Sequence, residues 1–118
     1  MGNYKQEAGK KGEDIAAAYL EELGFSVVER NFYAAHGELD IIARDGDTTV
    51  FCEVKLRRGS AFGNIAESIT PAKKRALMRT AEVYAQKHGL LNSPMRFDVI
   101  LISDNFNIEY IKNAEISY

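Results

Sequence analysis

The segments Gly37-Glu38-Leu39-Asp40-Ile41-Ile42-Ala43-Arg44 and Thr48-Thr49-Val50-Phe51-Cys52-Glu53-Val54-Lys55-Leu56 flank a polar turn, Asp45-Gly46-Asp47. A Gly-centred turn of this length joins antiparallel strands, so the stretch reads as a β-hairpin. Strand side chains alternate between faces, which puts Glu53 and Lys55 on one face, roughly 7 Å apart along the strand. By the same alternation Glu38 and Asp40 share a face. Where the register aligns the two polar faces, two carboxylates meet beside an ammonium, a donor set suited to a divalent metal. Ile41-Ile42 and Val50-Phe51-Cys52 make both strands apolar on two faces and therefore central in a sheet. Charges there are costly unless paired or metal-bound. The plainer alternatives are a surface cross-strand pair worth a few tenths of a kcal/mol and, for a Glu early in a helix, a favourable macrodipole contact.

Outward from the hairpin, a helix is expected from about Glu7 to Leu23, with Ile15, Tyr19 and Leu23 on its buried stripe and Gly24 as its cap. Glu13 lies at the edge of that stripe. A strand follows at Phe25 to Arg30, then a short connection from Asn31 to His36. Beyond Leu56, Arg57 to Asn64 has two glycines and no periodicity, which predicts a loop. Thr70-Pro71 gives an N-cap followed by proline at the first helical position. The second helix then runs to about His88, with Leu77, Ala81, Tyr84, Ala85 and His88 on one stripe. Met95 to Ser103 reads as a buried strand and Asn107 to Ile111 as a last one. The order α-β-β-β-α-β-β predicts one α/β domain over residues 1–118, a mixed sheet flanked by two long helices.

Composition bounds the function. The chain has 118 residues, 46% hydrophobic and 27% charged, with no run long enough to span a membrane. Its start has no signal-peptide core, and a cytoplasmic protein is expected. One cysteine, Cys52, excludes an internal disulfide and a Cys-rich zinc site, and reads as a small buried hydrophobe facing away from Glu53. The net charge of −2 argues against indiscriminate DNA coating. Yet Lys55, Arg57, Arg58, Lys73, Lys74, Arg75 and Arg79 face only Glu67 across their stretch, a local basic surface suited to a polyanion beside carboxylates.

An Asp, then Glu-x-Lys on the next strand, with the helical Glu13 upstream, resembles the PD-(D/E)XK nuclease superfamily, which includes restriction endonucleases and archaeal Holliday-junction resolvases. Nearly the whole chain resembles the YraN family of small bacterial proteins. That likeness is carried by Gly12-Glu13, Tyr19-Leu20, Gly24-Phe25, Asn31, the run from Gly37 to Asp45, Glu53-Val54-Lys55, Phe62-Gly63, Lys73, Arg75 and Arg96-Phe97-Asp98-Val99. The chain departs from it after the Asn-aromatic pair, where a basic residue is common. Here Phe32-Tyr33 leads into Ala34-Ala35-His36, which removes positive charge near the expected site.

The resemblance implies a restriction-endonuclease-like fold and a metal-dependent nuclease hydrolysing phosphodiester bonds in DNA, branched or otherwise structured, to 5′-phosphate and 3′-hydroxyl ends. Asp40, Glu53 and the main-chain carbonyl of Val54 would hold Mg²⁺ or Mn²⁺. Lys55 would orient or deprotonate the attacking water. Glu13 would reach the metal through water or help bind a second ion, with Glu38 in support. Arg57, Arg58, Lys73, Lys74 and Arg75 would contact nucleic acid, and resolvase kinship suggests a homodimer. Two rivals keep the fold: a nucleic-acid-binding module without useful turnover, and an interaction protein whose polar cluster is a structural ion network.

Overall fold

The computed structural model describes residues 4–35, 37–57, 70–103 and 105–114. Its elements are α1 (Tyr4–Glu22), β1 (Ser26–Ala34), β2 (Gly37–Asp45), β3 (Thr48–Arg57), α2 (Pro71–Lys87), β4 (Met95–Ser103) and β5 (Ile108–Ile111). This is the expected α-β-β-β-α-β-β order. The strands form one mixed sheet in the spatial order β1-β2-β3-β4-β5. β1, β2 and β3 make an antiparallel meander, β3 and β4 run parallel, and β5 returns antiparallel on β4. A parallel β3–β4 pair needs a crossover between its strands, and α2 lies within that connection. The arrangement is compatible with a restriction-endonuclease-like fold. Among the described residues no helix is long and apolar enough to cross a membrane.

The helices cover opposite faces of the sheet. Ala16, Ala17 and Leu20 of α1 pack on Ile41, Ala43, Val50, Cys52, Ile100 and Ile102. Leu77, Ala81 and Tyr84 of α2 pack on Phe32, Leu39, Ile42, Phe51, Val99 and Leu101. Cys52 is buried on the α1 side, away from Glu53, as its strand position predicts. The helix boundaries follow local chemistry. Thr70 caps α2 by accepting a hydrogen bond from the Lys73 N–H, with Pro71 next. Gly24 and Gly89 follow the two helices at φ +94° and +69°, backbone states that a Cβ disfavours.

The structure corrects two expectations. β1 does not end at Arg30 but continues to Ala34, through Asn31 at φ +56°. Asn is among the residues that most readily adopt this left-handed state. The strand turns over there: Arg30 ion-pairs with α1, whereas Phe32 belongs to the α2-side core. β2 mirrors the change. Arg30 pairs with Ile41 and Phe32 with Leu39, so Asn31 lies opposite Asp40. Leu39 packs on the α2 side but Ile41 on the α1 side, so strict alternation slips at Asp40. His88 ends its stripe as the exposed C-cap of α2, its ring against Tyr84.

At the β4–β5 side, Asp98 is fully buried and fully partnered. It accepts from Arg96 Nε at 3.1 and 3.2 Å, from the Asn113 N–H at 2.8 Å and from the Tyr110 hydroxyl. Arg96 also bridges to Asp45 at 2.9 Å. Truncating one partner of such a pair leaves an uncompensated buried charge, at a cost of about 3–5 kcal/mol. We predict that Asp98→Ala destabilises the fold by this amount in urea unfolding, and a loss below about 1 kcal/mol would contradict the structural role.

Candidate metal centre

The candidate site forms where β2 and β3 part. Their backbone pairing runs from Asp45↔Thr48 up to Ile41↔Cys52. One step further, Asp40 faces Glu53. Instead of a strand–strand bond, the Val54 N–H donates to Asp40 Oδ2 at 2.9 Å. The N–H and C=O of one strand residue leave on the same edge, so the Val54 carbonyl also faces the gap between β2 and β3. Glu53 is buried and Asp40 half-buried.

The electrostatics show how close the two carboxylates are. The Asp40 pKa is raised to about 8 by burial, then by the charge of Glu53, with a Glu53 hydrogen bond and the charge of Glu38 adding to it. The Val54 N–H pulls the other way. A like charge close by favours the neutral form of a carboxyl. Lys55 Nζ lies 3.8 Å from Glu53 Oε2, on the face that strand alternation predicts. Burial, then the neighbouring Lys73, holds its pKa below the usual lysine range, against the pull of Glu53 and Asp40.

Lys73 corrects a simple division between metal site and nucleic-acid surface. From the first turn of α2 its Nζ reaches Glu53 Oε2 at 2.6 Å, closer than Lys55 does. Burial opposes its charge, but the Glu53 hydrogen bond, contact with Lys55 and the Glu53 charge leave its pKa raised. Lys73 therefore belongs to the site itself. Gly37, Glu38, Asp40, Glu53, Lys73 and Leu77 help line a cleft of about 440 Å³ here. Thr70-Pro71 fixes the start of α2, and Lys73 in its first turn is the signal in the sequence for this approach.

Other expected residues stand further off. Glu13 is paired with Arg30 at 3.7 Å, and Arg30 also holds Asp14 at 2.7 Å. The structure thus gives Glu13 an ion pair with Arg30 of β1. Glu38 lines the cleft and is the cross-strand partner of Tyr33, whose hydroxyl pKa it raises. Lys74 and Arg75 lie beside Lys73 in the first turns of α2, with Arg75 exposed. Arg57 ends β3; Arg58 and the rest of the expected loop to residue 64 lie outside the described residues, as does His36. Tyr33, 70% exposed beside Glu38, is a neighbour of the site that the strand pattern did not reveal.

Among the described residues no group of three or more His, Cys, Asp or Glu side chains could hold a metal ion. The donor set is two carboxylates with one main-chain carbonyl. That fits Mg²⁺, which is commonly held by one or two carboxylates, waters and substrate phosphate.

The crowding of Asp40 makes stability pH-dependent. Its folded pKa, about 8, lies above the ordinary aspartate value of 3.8. Its contribution is fully present below pH about 4 and is lost as pH rises through about 8. Asp40→Asn removes that dependence. Between pH 5 and pH 9, thermal unfolding without metal should shift progressively in favour of the variant. A constant difference between the two proteins would contradict the crowding.

Comparison with known proteins agrees with the whole-chain likeness. The model of the uncharacterised protein family UPF0102 matches residues 12–102. A UPF0102 protein of Geobacter sulfurreducens is 45% identical over 115 residues, covering 93% of this chain and 90% of its own. One from Geotalea uraniireducens is 46% identical over 115 residues, covering 93% and 91%. One from Neisseria meningitidis serogroup C is 42% identical over 111 residues, covering 94% and 95%. With a family match over most of its length and relatives this similar end to end, the chain belongs to the uncharacterised protein family UPF0102, the YraN family.

Proposed function

We propose that this protein is a metal-dependent nuclease of the PD-(D/E)XK type, hydrolysing phosphodiester bonds in DNA of branched or otherwise structured form, in the cytoplasm. The observation that carries the reading is Asp40 set beside the buried Glu53, where burial first and the Glu53 charge second raise the Asp40 pKa to about 8, with Lys55 3.8 Å from Glu53. The cations of the pair sit on one side, where Lys73 and Lys55 both lie against Glu53. Asp40 has only one N–H donor to its carboxylate and no cationic partner of its own among the described residues.

Asp40, Glu53 and the Val54 carbonyl would hold Mg²⁺ or Mn²⁺. When bound, the ion would supply Lewis-acid stabilisation of charge on the phosphoryl oxygens and make a water more acidic. The chain's own residues do the rest. Lys55 Nζ, its pKa lowered, is placed to take a proton from the attacking water or to hold that water in line with phosphorus. Attack forms the new P–O bond as the bond to the 3′ oxygen breaks, and the leaving oxygen takes a proton to become a hydroxyl. Lys73 can turn from Glu53 towards a phosphate, since its side chain is 40% exposed. Arg75 and Lys74 would extend that cationic edge. Glu13 and Glu38 stand in support, through water or the surrounding charge. A homodimer would allow two strands to be cut.

The Lys73–Glu53 contact of 2.6 Å favours a second reading. If that ammonium is the site's lasting cation, the protein is a nucleic-acid-binding module without turnover. Incubation with duplex, single-stranded, flap and four-way DNA under Mg²⁺, Mn²⁺ or EDTA separates the two. We expect metal-dependent cleavage that falls at least 100-fold in Asp40→Asn and Lys55→Ala, the scale of losing a charge-stabilising or proton-transfer group (roughly 10²–10⁴). Cutting that survives both substitutions rejects the nuclease. Salt-sensitive binding with no cutting supports the module. Apart from catalysis, Mn²⁺ should raise the thermal midpoint of the wild type and not of Asp40→Asn.

A further inference from the structure

Beside the metal cleft lies a second, shallower one of about 460 Å³, lined by Tyr33, Ala34, Ala35, Gly37 and Glu38. The two share Gly37 and Glu38. Its wall is the Tyr33 ring, 70% exposed and paired across the strands with Glu38. Its floor is small: two alanines and a glycine, where a larger side chain would fill the space.

This shelf is fixed to α2. The Thr80 hydroxyl lies 3.0 Å from the Ala34 carbonyl and 2.7 Å from that of Ala76. A Cβ on Gly37 would come within 2.4 Å of Thr80 Oγ1 and 3.1 Å of the Ala76 carbonyl. Ala35 is held at φ +50°, a state costly for a residue with a Cβ and maintained only where the surroundings enforce it. The ring therefore projects from a firmly held backbone, as a stacking platform must.

The charge around the ring selects what can lie on it. Among the described residues Glu38, Glu13 and Asp40 all bear on the Tyr33 hydroxyl, an acidic setting that repels phosphate. A phosphate's place is on the other side, near Lys73 and Lys55. The part of a nucleic acid that suits an exposed phenol ring in an acidic setting is the uncharged base, which stacks on aromatics whatever its identity. Glu38 can in addition accept from an exocyclic amino group.

Resting on the nuclease reading, we propose that Tyr33, with the Ala34-Ala35-Gly37 shelf, is a stacking subsite for an unpaired nucleobase next to the phosphate held at the Asp40–Glu53 cleft. A fully paired base is already stacked in its duplex and gains least from such a platform. The subsite therefore gives preference for strands that are single, flapped or branched near the cut.

The test uses oligonucleotides with 2-aminopurine stepped through single-stranded and flap substrates, titrated with wild type, Tyr33→Phe and Tyr33→Ala in EDTA and in Ca²⁺. Tyr33 is exposed, and thermal unfolding of each variant checks that the fold is intact. Wild type and Tyr33→Phe should change the probe's fluorescence at one or two adjacent positions. Tyr33→Ala should lose that signal and bind these substrates roughly 5- to 100-fold more weakly, while its affinity for plain duplex changes less than twofold. Equal affinities and an unchanged probe signal in Tyr33→Ala overturn the subsite and leave the nuclease reading standing. Absence of any nucleic-acid binding by the wild type overturns both.

Discussion

Two carboxylates, Asp40 and Glu53, are held against each other at the point where β2 and β3 stop pairing. Like charges at such range repel strongly in a partly buried setting, and the fold accepts this instead of spreading them apart. The mutual approach is enforced from both sides. β3 is locked to β4 by a continuous parallel ladder from Thr49 to Arg57, and β2 is locked to β1 from Ser26 to Ala34. Neither strand can relax without disturbing a helix-covered core. The unfavourable pair is therefore built into the scaffold, and a cation between the two is the simplest release.

The contrast with Asp98 clarifies what the pair is. Asp98 is more deeply buried than Asp40, yet it is satisfied: a guanidinium, a phenol and a backbone N–H converge on it. A carboxylate that only ties strands together looks like that. Among the described residues Asp40 receives one backbone N–H, and burial with the charges of Glu53 and Glu38 raises its pKa. Lys73 and Lys55 both serve Glu53, so the cationic side of the cluster is unevenly shared. One sheet thus carries a closed polar network towards β5 and an open one between β2 and β3. Rigidity at the first supports geometry at the second.

Much of this was readable from the chain. The hairpin, the central position of β2 and β3, the common face of Glu53 and Lys55, the burial of Cys52 away from Glu53 and both helix ends follow from alternation, turn chemistry and caps. The unread part arises from interactions between distant segments. Asn31 turns β1 over, and alternation in β2 slips opposite it, a coupling that no two-residue period encodes. Lys73 reaches Glu53 only because α2 lies on that face, and a local pattern marks it merely as a solvated cation. Glu13 sits at the edge of its stripe as expected, but Arg30, brought alongside by β1, takes its charge. Tyr33 carries no strand signal beyond its β propensity; its role emerges only from Glu38 across the ladder and the space left by Ala34 and Ala35.

The most direct measurement is anomalous diffraction from a crystal soaked in Mn²⁺. A single strong peak bridging Asp40 and Glu53, within about 2.0–2.3 Å of a carboxylate oxygen from each and with Lys73 Nζ moved off Glu53, is the predicted result. A map with no peak there, and Lys73 still seated on Glu53, would show that the site carries its own permanent cation and would contradict the account.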